Sequence, residues 1–290
     1  MVLKNQKHDR SLMTHGFVKF SLLTEFEVGD LLEEMGDLCS EQLQLKNVSH
    51  AYNSVTDLNL DKKRKIEMLI RTLFANKVEE VFDDFRLFNS FAVIKQPGGG
   101  NVVPHQHPPI VTDLSTRTYI LWCPLVDVDT MNGRMHFVEG SQNIIPGLIP
   151  YAYGSPYNQF HKRSEMLSTP VETRAGECIV FDENILHWSE VNVTKHPRIA
   201  VASTLVPESL SPVFYHFDGE RQDYFEVFSI DDNLSLNTTF SGKPIDRLGQ
   251  YPSLGFVKNE VVDLSEEKFV ELLETGGEII PEIRIIDTVP

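Results

Sequence analysis

Cysteine is scarce. The 290-residue chain holds three, Cys39, Cys123 and Cys178, an odd number, widely spaced and in no Cys-x-x-Cys pair. That argues against a disulfide framework and for a reducing compartment. Positive charge is scarce too: 26 Lys and Arg stand against 42 Asp and Glu, a formal charge of −16. With no basic stripe, nucleic acid and anionic membrane surfaces are disfavoured as partners, and so is a heavily phosphorylated substrate. No apolar run reaches the roughly eighteen residues of a membrane span. The opening residues Met1 to His8 lack an apolar signal core, and Asp287-Thr288-Val289-Pro290 carries no address signal, so the cytoplasm is the expected location. Core-forming residues are not lacking: 41% of the chain is hydrophobic and 18 Phe and 8 Tyr are present, which argues against disorder.

Apolar spacing predicts the elements. Residues 1–14 are polar and expected to be loose. Gly16 to Leu23 reads as a strand, with Phe17, Val18, Phe20 and Leu22 apolar. Thr24 with Glu25 and Glu27 signals a helix start and a capping box. That helix runs to about Leu45, although its stripe of Leu31, Leu32, Met35, Leu38 and Cys39 blurs beyond Cys39. A second helix spans about Asp61 to Phe85. Both helices read as packing elements. From Leu87 the texture changes to short β-rich runs at 88–95, 117–127, 134–139, 169–173, 177–182, 186–193 and 198–206. Turns such as Asn132-Gly133 and Ala175-Gly176 separate them. Short strands without intervening helices predict a mainly β sandwich or barrel with flanking helices. The stretch from Gln142 to Ser168, rich in Pro and Tyr, is expected to be a lid or binding loop. Beyond Pro207 the pattern is irregular until a helix over Leu264 to Glu274, with Asp263 as its N-cap. No convincing break divides the chain. One domain over 1–290 is expected, with helical support in 1–86, a β core in 87–206 and a C-terminal extension in 207–290.

Pro104-His105-Gln106-His107-Pro108-Pro109 carries the chemistry. Side chains alternate along an extended segment, so His105 and His107 project to one side. His187 lies on a distant strand-like run, and Arg198 follows on the next. Two ligands from one strand and a third from another make a facial set with three coordination positions open. Non-haem Fe(II) oxygenases use such a set for a bidentate 2-oxo acid and oxygen.

The surrounding segments extend the pattern. They are Ile120-Leu121-Trp122-Cys123-Pro124-Leu125-Val126-Asp127-Val128-Asp129, then Asn132-Gly133 and Val138-Glu139-Gly140-Ser141. Ala175-Gly176-Glu177-Cys178-Ile179-Val180-Phe181-Asp182 and Leu186-His187-Trp188-Ser189 follow, with Asn192 and Arg198 behind. In order and spacing this run, from about 100 to 205, resembles the phytanoyl-CoA dioxygenase family of Fe(II)/2-oxoglutarate oxygenases. The resemblance implies a double-stranded β-helix, the cupin-like jelly roll. It implies an enzyme that uses Fe(II), 2-oxoglutarate and O2 to hydroxylate an unactivated C–H bond of a small-molecule substrate. His105 and His187 are then iron ligands. Arg198 pairs with the distal carboxylate of 2-oxoglutarate, as a planar fork suits a carboxylate, and Ser189 hydrogen-bonds that carboxylate. Trp122 walls the cosubstrate pocket or packs in the core, and Gln106 reaches toward substrate or cosubstrate.

Position 107 departs from the family, which has Asp there. His107 can ligate, because its Nδ1 is as many bonds from Cβ as a carboxylate oxygen of Asp; the site then holds three imidazoles. His107 can instead turn away and leave a two-histidine site. Or the site is inactive and the fold serves as a binding module. A three-histidine dioxygenase that needs no 2-oxoglutarate is a further reading, which Arg198 and Ser189 count against. Asp113 is a remote candidate for the missing carboxylate. His136 is expected to be structural and His161 to be exposed or near substrate. The stretches 146–163 and 213–226 are expected to line the substrate pocket. Their Lys162, Arg163 and Arg221 would suit a carboxylate-bearing metabolite.

Overall fold

The computed structural model describes residues 1–46, 50–100, 102–150, 156–217, 223–237, 248–260, 262 and 264–288. The chain opens with α1 (Gln6–His15), β1 (Phe17–Ser21), α2 (Glu25–Leu38), α3 (Ser40–Gln44), β2 (Tyr52–Asn53) and α4 (Leu60–Val81). The central strands are β3 (Phe85–Lys95), β4 (Val102–His105), β5 (Tyr119–Pro124) and β6 (Met135–Phe137). After α5 (His161–Leu167) come β7 (Thr169–Val171), β8 (Glu177–Asp182), β9 (His187–Ser189) and β10 (Arg198–Pro207). The C-terminal part holds β11 (Val213–His216), β12 (Tyr224–Ser229), α6 (Leu234–Asn237), β13 (Ser253–Lys258), α7 (Glu266–Thr275) and β14 (Ile285–Ile286).

One sheet has the order β1-β8-β5-β10-β3-β2 and a second the order β4-β9-β6-β7. From β3 to β10 the chain passes back and forth between them, with every named pairing antiparallel. That weave is the double-stranded β-helix. The central strands β8, β5 and β10 of the larger sheet are buried on both faces, which explains why they read as nearly continuous apolar runs. Tyr119, Leu121 and Cys123 of β5 and Cys178 and Val180 of β8 face the helices, packing with Leu31, Met35, Ile66, Ile70 and Phe74. The alternate residues Ile120, Trp122, Ile179, Phe181, Ala200 and Ala202 face the smaller sheet, with Met135 and Phe137. Period-two alternation therefore decides which residues reach the interior between the sheets.

Four expectations change. Residues 6–15 are helical, capped by the Asn5 side chain on the backbone N–H groups of Lys7 and His8. The carboxylate of Asp9 holds the N–H groups of Val2 and Leu3. With Leu12 the one buried residue of that helix, its apolar stripe is too thin to read. The second long helix ends at Val81 rather than Phe85, because Phe85 already pairs with Pro207 in β3. Residues beyond Pro207 are not irregular: β11, β12, β13 and β14 form a third antiparallel sheet in that order. The last helix is capped by Ser265, whose side chain accepts from the Lys268 N–H; Asp263 lies outside the described residues. The capping box at Thr24 and Glu27 forms as expected, and the helix breaks at Cys39, where its stripe blurs.

Candidate active site

β4 and β9 pair with His105 opposite His187. β4 ends at His105, so His107 stands just past the strand. It reaches the same place because its backbone N–H donates to the Glu183 carbonyl at 3.0 Å. The ring centroids lie 4.3 Å apart for His105 and His187, 4.9 Å for His107 and His187, and 5.6 Å for His105 and His107. One nitrogen from each ring falls within 4.8 Å of the others, so the three could hold a metal ion.

The ring orientations are set from outside the cluster. Nδ1 of His105 contacts the Val103 carbonyl at 2.9 Å, and Nδ1 of His187 contacts the Ile185 carbonyl at 2.9 Å. Nδ1 of His107 lies 3.3 Å from Oε1 of Glu183. An oxygen at each Nδ1 favours the Nδ1–H tautomer and leaves Nε2 free to take a metal, the usual outer arrangement of metal-binding histidines. Nδ1 of His107, the nitrogen whose reach matches an Asp carboxylate oxygen, faces Glu183. Burial pushes His105 down to about 4, helped by the nearby His107 ring. Burial also pushes His187 well below the ordinary histidine range, with the other two rings adding to it. Neutral imidazoles are what a metal site requires.

A cavity of about 640 Å³ opens from this cluster between the two sheets. Arg198 lies on its wall. The guanidinium is fully buried, its Nη1 donates to the Gly133 carbonyl at 2.5 Å, and its Nε has no partner. Among the described residues no carboxylate forms an ion pair with it. Trp122 lies beside it, with Arg198 Cζ 5.4 Å from the ring centroid. Gly133 is required at its position: with φ near +93°, an added Cβ would collide with the Glu190 carbonyl.

Sequence reasoning missed two residues here. Lys95 pairs with Arg198 in the β3–β10 register, so the two side chains share a face. Its ammonium is buried and donates to Ser189 Oγ at 2.8 Å, to the Ser189 carbonyl at 3.3 Å and to the Glu190 carbonyl. Burial, and then the charge of Arg198, push Lys95 down to about 6. Lys95 therefore sheds its proton readily, whereas the Arg198 guanidinium keeps its charge, and a buried cation is expensive without an anion to join it. The second missed residue is Glu183, in the turn between β8 and β9. No sequence signal marks either one, since only strand register and turn packing bring them to the site.

The remaining expected residues are placed as follows. Ser189 lines the cavity, with its hydroxyl already held by Lys95. Gln106 does not line the cavity. Its amide nitrogen donates to the carbonyls of Ser141, Ile144 and Asn184, and its oxygen accepts from Tyr157. It ties neighbouring loops together behind the histidines. Asp113 is absent from the cavity wall and accepts bonds from Ser115 in an exposed turn. His136 is structural, stacked on Trp188 at 3.9 Å and 3.2 Å from Glu190. His161, Lys162 and Arg163 belong to α5 and do not line the cavity, and Arg221 lies outside the described residues. Of the two stretches expected to line it, Pro150, Phe214 and Tyr215 do.

The model of the phytanoyl-CoA dioxygenase (PhyH) family matches residues 14–200. The chain belongs to the phytanoyl-CoA dioxygenase family. A phytanoyl-CoA dioxygenase of Arabidopsis thaliana is 27% identical over 213 residues, 70% of this chain and 71% of that protein. Among solved structures, the α-ketoglutarate-dependent carbocyclase SnoK from nogalamycin biosynthesis aligns with a TM-score of 0.55 at 14% identity. That alignment covers 72% of this chain and 86% of SnoK. The epimerase SnoN, solved with Fe3+, α-ketoglutarate and nogalamycin RO, aligns with a TM-score of 0.53 at 20% identity, over 72% and 85% of the two chains. These structures share the fold. As a family member the chain is a dioxygenase with iron, 2-oxoglutarate and O2 as its cofactor and cosubstrates. The donor set agrees: three imidazoles suit iron, and the buried guanidinium beside them, with no carboxylate paired to it among the described residues, suits a carboxylate. No helix among the described residues is long and apolar enough to cross a membrane.

The depressed Lys95 predicts a pH effect. An unfolded lysine titrates near ~10.4 and the folded one at about 6. Between those values the unfolded chain binds the extra proton, so stability rises with pH. The penalty is fully present below about 6 and absent above the unfolded value. Lys95→Met removes it. In ligand-free protein the variant should therefore gain on wild type as pH falls from 9 toward 6, read by urea denaturation. A stability difference that does not change with pH would show that Lys95 is not held in this state.

Proposed function

We propose that the chain is an Fe(II)/2-oxoglutarate-dependent oxygenase that hydroxylates or otherwise oxidises a C–H bond of a small molecule with a largely apolar body. His105, His107 and His187 hold the metal through Nε2. Arg198 receives the distal carboxylate of 2-oxoglutarate, while Lys95 orients Ser189 beside it. Trp122 walls that end of the pocket. The observation that carries this reading is the joint placement of the imidazole cluster and an unpaired buried guanidinium on one cavity wall. When bound, the iron would activate O2, the oxidant, with 2-oxoglutarate supplying two of the electrons as it is decarboxylated, and the protein positions the target bond and keeps water out.

The cavity wall favours an apolar substrate over a carboxylate-bearing one. Phe88, Phe91, Val93, Ile110, Phe214, Ile230 and Leu234 line it, and Arg198 is the one Lys or Arg among the described lining residues. Once Arg198 is committed to the cosubstrate, Asn53, Asn89, Thr204 and Ser235 remain to fix orientation through a few hydroxyl or carbonyl groups. A three-histidine dioxygenase that uses no oxo-acid would have no need of the Arg198 and Lys95 pair.

The test is an anaerobic titration with Fe(II) and 2-oxoglutarate, read by visible absorption. A metal-to-ligand charge-transfer band is expected. On admission of O2, succinate should form in proportion to 2-oxoglutarate consumed, and faster with apolar than with carboxylate-bearing candidate substrates. No band at saturating iron would overturn the reading.

A further inference from the structure

We propose that Glu183 replaces the missing iron-ligand carboxylate from one step further out, as the positioning residue that makes His107 a competent ligand. The inference rests on the reading of His105, His107 and His187 as the metal centre. Where the resemblance expects Asp, this chain has His107, and among the described residues the carboxylate that meets that side chain is Glu183. Its placement is tightly specified. The Glu183 N–H donates to the Thr118 carbonyl at 3.0 Å, and its own carbonyl receives the His107 N–H at 3.0 Å. One carboxylate oxygen, Oε2, accepts from Thr118 Oγ1 at 2.6 Å. The other, Oε1, lies 3.3 Å from His107 Nδ1. The side chain is buried, 7% exposed, and lines the cavity.

No Lys or Arg among the described residues pairs with Glu183. Arg117, which pairs with the preceding residue Asp182 at 3.3 Å, is also committed to the Gln142 carbonyl and to Asn143. A buried carboxylate with no cation of its own needs a positive neighbour. A divalent metal held by Nε2 of His107 is that neighbour, one imidazole away. With Nδ1–H donated to Glu183, the lone pair on Nε2 is fixed toward the cluster and made more basic. The three-imidazole site lacks one negative charge relative to a site with two histidines and an Asp. Glu183 returns that charge through the ring of His107.

The test is a double-mutant cycle on metal affinity, with no catalysis required. Fe(II) dissociation constants are measured anaerobically, by chelator competition, for wild type, Glu183→Gln, His107→Asp and the double variant. Circular dichroism and thermal unfolding without metal check that each is folded. Gln keeps the volume and an acceptor for Thr118, and His107→Asp supplies a direct carboxylate. The expected result is a loss of roughly 10–100-fold for Glu183→Gln in the His107 background, and a change within about twofold in the His107→Asp background. Equal losses in both backgrounds would assign Glu183 a general structural role and overturn the proposal. So would an unchanged affinity in Glu183→Gln. If wild type itself binds no Fe(II), the metal-centre reading falls and this inference with it, an outcome distinct from a wild type that binds iron but ignores Glu183.

Discussion

His187→Ala is expected to abolish the visible iron–2-oxoglutarate band and all coupled turnover. His187 is the buried member of the cluster, fixed at the start of β9 opposite His105 and held through Nδ1 by the Ile185 carbonyl. Removing an outer partner of a metal ligand costs roughly 10–100-fold in affinity, so removing the ligand itself should cost more than about 100-fold. Alanine also leaves a void against Phe181, whose ring centroid lies 4.8 Å from the imidazole. His187→Gln fills that space without restoring imidazole ligation, which separates the metal effect from the packing effect. Both variants should lose the band while keeping a cooperative unfolding transition. A band of wild-type intensity in either variant would remove His187 from the metal centre.

Arg198→Met should weaken 2-oxoglutarate binding by about 100-fold or more and leave Fe(II) affinity close to wild type. Each charge-assisted hydrogen bond from the guanidinium is worth about 1.5–3 kcal/mol, and two of them reach that factor. Lysine should not rescue the defect, because it lacks the planar fork that matches a carboxylate. The ligand-free variant should unfold no more easily than wild type, since it gives up a buried cation without a counter-ion. Equilibrium titration with 2-oxoglutarate at saturating Fe(II) checks the affinity, and urea denaturation checks the stability. Unchanged 2-oxoglutarate affinity would show that the cosubstrate lies elsewhere in the cavity.

Much of the fold can be read from residues alone. Period-two apolar runs mark the strands of the β core, and Thr24 with Glu27 marks the start of α2. The C-terminal sheet cannot be read this way. β14 is two residues long and β13 holds Gly255, so neither presents enough alternating apolar positions to stand out. Their pairing, β13 on β12 and β14 on β13, is decided by contacts that a local pattern does not record. α1 escapes for the same reason, as a polar helix fixed by Asn5 and Asp9 rather than by an apolar stripe.

At the site, the sequence by itself pointed to His105, His107, His187 and Arg198 through their spacing, and to Ser189 and Trp122 through the resemblance of the surrounding segments, because spacing and segment order are properties of the chain. Tertiary structure decided what they do. Register across β3 and β10 brought Lys95 beside Arg198. The turn after β8 brought Glu183 to Nδ1 of His107 and so chose Nε2 as the nitrogen left for a metal. Loop packing took Gln106 out of the cavity by satisfying its amide on main-chain carbonyls. These outcomes depend on side chains up to about a hundred positions apart meeting in a buried space, where each charge must find a partner or remain unpaired at a cost.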